Sequence, residues 1–181
     1  MNKIILAVAL SLAVTTAYAQ NPPAKPPPTT LKGVLLEQLR TTHNSQDWFA
    51  SGNTAIAGLT ADQARWTDGK GNHSVGQLTY HLVFWDKRSL MRFKGEKPGQ
   101  FSGNNDETFN NFTTEQWADL VKQFDQVMTD WEKAVEAADD ATVAKNASVI
   151  AHIGTHNAYH IGQIVFVRKE QGSWDPAKGV K

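Results

Sequence analysis

Three of the chain's six histidines, His152, His156 and His160, recur every fourth residue in one apolar segment. Side chains four apart on an α-helix are surface neighbours, so His156 and His160 can aim both imidazoles at one point. Neutral imidazole is a common ligand of divalent metals. Two ligands do not close a site. His81, in a separate apolar segment, is able to supply a third from a facing helix, as helical bundles do when they build internal metal centres. The alternative is a set of core histidines satisfied by hydrogen bonds, because burying an imidazole without a partner is unfavourable. Asn157 stands where the H-E-x-x-H pattern carries its glutamate, so that built-in base is missing.

The chain has no cysteine, which excludes disulfides and thiolate ligation. Nitrogen donors alone suit zinc, nickel, copper or iron. Gln77, four residues before His81, and Gln163, three after His160, are spaced to support the ligands from behind or to be ordinary surface amides. Asp86, Tyr80 and Tyr159 are candidate proton-transfer groups. No carboxylate pair and no Ser–His–Asp set stands out. The formal net charge is zero and no basic run occurs, which argues against nucleic acid as a partner.

Four amphipathic segments have to position these residues. The first spans about 31–57, with Leu31, Leu35, Leu39, Thr42 and Phe49 on one face. His43 falls roughly 80° from Leu35 and is expected to be partly exposed. Thr60 with Gln63, Ser74 with Gln77, and Thr113 with Gln116 have capping-box spacing and predict three helix starts. The Ser74 helix runs to about Lys94 and carries His81 on its flank, and the Thr113 helix runs to about Ala138. The fourth is expected from about Ser148 to Gln171, closed by Gly172. On its wheel Val149, Ile153, Ile164 and Val167 lie within about 40° of His160, which predicts His160 at the centre of the buried stripe and His152 at its margin. Gly154 and Gly162 mark close helix contacts or room for a ligand. The 95–112 connection is long for a compact domain and reads as a crossing or as a cover over the site. No strand signal competes, so an all-α four-helix bundle is the economical architecture.

The N-terminal residues read differently. Lys3, the apolar run Ile4–Val14 and Ala17-Tyr18-Ala19 form a signal-peptide pattern over 1–19, too short an apolar run to span a membrane. Residues 20–30 follow as a linker, with five prolines between 22 and 28 favouring an extended tether. The folded domain is expected over 31–175, with a tail at 176–181.

The stretch LTADQARWTDGKGNHSVGQLTYHLVFWDKRSLMRFKG, with HIGTHNAYHIGQIVFVRKEQG far downstream, resembles the DinB/YfiT-like superfamily over roughly residues 31–172. The resemblance implies a four-helix bundle with His81, His156 and His160 holding one divalent metal ion, zinc, nickel or iron. His152 matches a position that is often histidine but not usually a ligand. The implied activity is that of a metal-dependent enzyme, a thiol-dependent transferase or a hydrolase, acting on a small-molecule substrate or thiol; non-catalytic metal or small-ligand binding is the alternative. Dimerisation is common among similar proteins. The signal pattern adds an expected periplasmic or secreted location, with no membrane association once the leader is removed. N-terminal analysis of the protein from its native host should find a mature chain beginning at Gln20, and an intact Met1 on soluble cytoplasmic protein would refute export.

Overall fold

The computed structural model describes residues 26–179. The expected signal peptide, linker residues 20–25 and the last two residues of the tail lie outside them. Six α-helices follow one another: α1 Leu31–His43, α2 Gly52–Ile56, α3 Ala61–Arg65, α4 Val75–Phe93, α5 Thr114–Ala137 and α6 Asp140–Gln171. Single 3-10 turns occur at Asn105–Thr108 and Pro176–Lys178, and there is no strand among the described residues. None of these helices is long and apolar enough to cross a membrane.

The helix starts follow from side-chain chemistry. At Thr60, Ser74 and Thr113 the hydroxyl accepts the backbone N–H of the residue three ahead, and the glutamine there accepts the cap's own N–H. Each box satisfies two donors that a helix start otherwise leaves unpaired. At the far end of α6, Gly172 takes the left-handed conformation (φ 77°) and returns its N–H to the Arg168 and Lys169 carbonyls.

The four long helices α1, α4, α5 and α6 make the bundle: α1 lies against α5 and α6, and α4 against the same two. Leu39, Leu82, Phe124, Met128, Trp131, Ile150, Ile161 and Ile164 are almost completely buried between them. α1 and α6 touch closely at Gly154, where a β-carbon would stand 3.2 Å from that of Gln38. Gly162 faces open space instead.

Three local expectations are corrected. The first helix stops at His43, not near Ala57: Asn44 closes it by donating to the Arg40 carbonyl, and Ser51 caps a separate helix α2. Residues 44–48 are all exposed and so offer no apolar face whose packing would sustain a helix. The last helix starts at Asp140, well before Ser148, because the Asp139 carboxylate accepts the Thr142 N–H and the residues after it are helix-compatible. Its core stripe is also rotated. Ile150, Asn157, Ile161, Ile164 and Arg168 are buried, whereas Val149 is 44% exposed. His160 therefore sits roughly 60° from the stripe centre at Asn157, on the flank that meets α4.

His43 is the other correction. It is buried, not partly exposed. Its Nδ1 lies 2.6 Å from Glu132 Oε1 and its Nε2 2.9 Å from Asp125 Oδ1, both on α5. Asn53 at the start of α2 donates to the same Asp125 oxygen at 2.6 Å, so this one cluster ties α1, α2 and α5 together. Arg168 does similar work for α6, donating to the Ala55 and Ala57 carbonyls at 2.6 and 3.1 Å.

A second polar contact lies in the core itself. Asn157 Nδ2 donates to Asp86 Oδ2 at 3.1 Å and touches the Met128 sulfur at 3.2 Å, while Asp86 Oδ1 has no partner. Burial, opposed only by the Asn157 hydrogen bond, pushes the Asp86 carboxyl up to about 8. The fold thus holds this acid neutral at pH 7, and a carboxylate there would face apolar surroundings.

These contacts predict two mutational outcomes. His43→Ala leaves two carboxylates without their shared imidazole and should destabilise the protein by about 1–3 kcal/mol in denaturant titration. For Asp86 the folded group keeps its proton above the pH at which the unfolded one loses it. Its contribution to stability therefore falls as pH rises from near 4 to near 8. Asp86→Asn should remove that slope, so the variant's stability advantage over wild type grows by up to roughly 1.4 kcal/mol per pH unit across the window. Parallel pH profiles of the two proteins would contradict it.

Candidate metal centre

α4 and α6 bring His81, His156 and His160 together. Each offers a ring nitrogen, and these nitrogens all lie within 4.8 Å of one another. His81 Nε2 and His156 Nε2 face each other at 3.1 Å. Two imidazoles on one tetrahedral cation at metal–nitrogen distances of 2.0–2.1 Å place their nitrogens about 3.3 Å apart, so the arrangement is close to what a shared ion requires.

The proton positions fit the same reading. Thr108 donates its hydroxyl proton to the Asn105 carbonyl at 2.6 Å, so its oxygen accepts from His81 Nδ1, also at 2.6 Å. His81 therefore carries its proton on Nδ1 and keeps the Nε2 lone pair free. His160 Nδ1 is 2.6 Å from Gln163 Oε1, an amide oxygen that can only accept. The amide's other end donates to the Tyr159 hydroxyl at 3.3 Å. His160 Nε2 is thereby left basic as well. Hydrogen bonds of this kind, made by the ring nitrogen away from the metal, fix both tautomer and ring orientation.

Electrostatics keeps the rings neutral. Burial, followed by the neighbouring His160, His156 and His73, lowers His81 to about 3. Burial and then His160 lower His156 to about 4, against an opposing effect of the neighbouring Asn157 amide. His160 is also lowered, chiefly by burial, with Gln163 opposing. At pH 7 three unprotonated imidazoles converge, the state a cation needs.

A pocket of about 660 Å³ opens over the histidines and is walled by Trp85, Phe109, Tyr159 and His152. His152 is exposed and donates Nδ1–H to the Ser148 carbonyl at 2.7 Å; it lies outside the three-histidine cluster. Of the other sequence candidates, Gln163 holds the His160 ring. Gln77 caps α4 and reaches the Phe109 carbonyl at 3.4 Å. Asp86 is in the core, and Tyr80 lines a different cleft.

The 95–112 connection reaches the site. Phe109 stacks on His81 with ring centroids 4.1 Å apart and on His73 at 3.8 Å, forming a three-ring pile that ends on His81. Phe112 anchors the connection beside Gly76, where any β-carbon would meet the phenyl ring at 2.0 Å. Thr108 and His73 were not identified from sequence: neither carries a periodic or motif signal, and both act only through contacts made across the fold.

No curated protein and no solved structure matched the chain. A sequence model of the DinB superfamily matches residues 53–164, a span that starts within α2 and ends within α6, and includes all three clustered histidines. With a match over more than half of its length, and an all-helical bundle around it, the chain belongs to the DinB superfamily.

Proposed function

We propose that this chain is an exported metal-dependent enzyme in which His81, His156 and His160 hold one divalent ion, zinc, nickel or iron, for transfer to or from a thiol or for hydrolysis. The observation that carries the reading is the convergence of three neutral imidazoles, two with Nδ1 protons committed elsewhere, at the floor of an open pocket. Three protein ligands leave a coordination position for substrate, as catalytic rather than closed structural sites do. When bound, the ion supplies Lewis acidity that lowers the pKa of a thiol or water near neutral pH.

The chain's own groups divide the remaining work. Thr108 and Gln163 hold the His81 and His160 rings in place. Phe109 covers one face of His81 and keeps water from that side. Trp85 and Tyr159 wall the space a small organic substrate would occupy. His152, with Nδ1 committed to a carbonyl, offers Nε2 as a proton acceptor on the same wall.

Elemental analysis of purified protein and variants tests the assignment. Alanine at His81, His156 or His160 should each remove most of the bound metal, whereas His43→Ala, which lies in the α1–α5 cluster, should retain it. Gln163→Ala should weaken metal affinity by roughly tenfold or more without abolishing it. Equal metal content in all five variants would defeat the site. Thiol-conjugation and ester-hydrolysis assays with and without added metal then separate catalysis from simple binding: metal retention with no turnover on either class favours a binding protein.

A further inference from the structure

A cavity of about 730 Å³ lies apart from the histidine pocket. It lies along another face of α4, closed by Asn110–Phe112 of the long connection and by α5. Its volume is within the usual range for small-molecule sites, roughly 300–1,000 Å³.

Its chemistry differs from that of the histidine pocket, which has no lysine or arginine on its walls. Lys87 and Arg88 both line this cleft. The Arg88 guanidinium rests against a pair of touching phenyl rings, 5.3 Å from the centroids of Phe84 and Phe101, which are 5.1 Å from each other. Its Nε is buried without a hydrogen-bond partner, and among the described residues the guanidinium makes no hydrogen bond or ion pair. A planar guanidinium lying over aromatic rings, with its donors unspent, is free to bind an oxyanion in bidentate fashion. Lys87 lies beside it with no carboxylate partner, its ammonium donating to Gln123 Oε1 at 2.5 Å. Although Lys87 is exposed, partial desolvation lowers it below its usual range, an effect that a bound anion would offset. Asp119 is the one carboxylate on the lining, and it pairs with Lys122 at 3.6 Å. The rest of the wall mixes the apolar Val83, Leu120 and Phe112 with the amides of Asn111 and Gln116.

We propose that this cleft is a second binding site, separate from the histidine centre, for a small organic anion: a carboxylate or phosphate carried on an apolar body, with Arg88 and Lys87 engaging the oxyanion. Unpaired cations beside apolar walls match such a ligand better than a free inorganic ion, which would leave Val83, Leu120 and Phe112 without contacts.

Calorimetric titration of the purified protein with benzoate, phenyl phosphate and neutral benzamide tests it. Benzoate or phenyl phosphate should bind and benzamide should not, and the stronger of the two anions identifies the head group. Arg88→Gln should weaken that binding by roughly tenfold or more, the loss expected for a charge-assisted pair. His156→Ala should leave it unchanged, which separates this site from any anion bound at the histidines. If Arg88→Gln fails to fold by circular dichroism, the exposed Lys87→Gln decides in its place, with a smaller loss expected. Binding that survives both substitutions, disappears in His156→Ala, is matched by benzamide, or is absent for both anions at millimolar concentration overturns the proposal.

Discussion

Three imidazoles gathered within 4.8 Å of one another in a largely buried corner cannot all be charged, and a neutral imidazole has one proton to place. Much of the surrounding structure answers that constraint. For His81 the proton goes to a threonine on the long connection, whose hydroxyl is oriented by its own bond to a backbone carbonyl. For His160 it goes to an amide one turn further along α6. Desolvation and mutual repulsion keep the rings unprotonated, so three neutral imidazoles converge in one corner.

The same constraint explains why the site is on the flank of α6. A helix stripe centred on the histidines would bury them among leucines and isoleucines and leave no approach for a ligand. With the stripe centred near Asn157, the apolar side of α6 packs into the bundle while His156 and His160 turn toward α4 and the connection. The helix is then both a core element and one wall of a pocket. Its buried polar groups, Asn157 and Arg168, are each spent on a specific contact with another part of the chain, Asp86 in one case and the α2 carbonyls in the other. Such contacts cost desolvation but fix the position of one helix against the next.

The connection between α4 and α5 serves two surfaces. Thr108 and Phe109 complete the histidine corner, while Asn110–Phe112 close the cleft that contains Lys87 and Arg88. Phe101 reaches both sides, its ring centroid 5.3 Å from the Arg88 guanidinium carbon and 5.5 Å from that of Trp85, which lines the histidine pocket. A short turn could not have reached both places.

Sequence by itself determined what local chemistry controls. The capping boxes at Thr60, Ser74 and Thr113 form as their spacing requires, because they are bonds within one turn. The i, i+4 spacing of His156 and His160 sets their common side for the same reason, and the period of α4 places His81 where it can turn inward. Tertiary structure decided whatever depends on a distant partner. The wheel left His43 at an edge; α5 made that edge an interior by presenting Glu132 and Asp125. The wheel also centred α6 on His160, because it counts apolar residues and has no means of seeing that Asp86 makes Asn157 a core residue. Thr108 and His73 carry no periodic signal, since each matters only through one contact made from another part of the chain. A hydrogen bond within a turn is encoded by neighbours, whereas a burial partner 27 or 89 residues away is encoded only by the fold that brings it there.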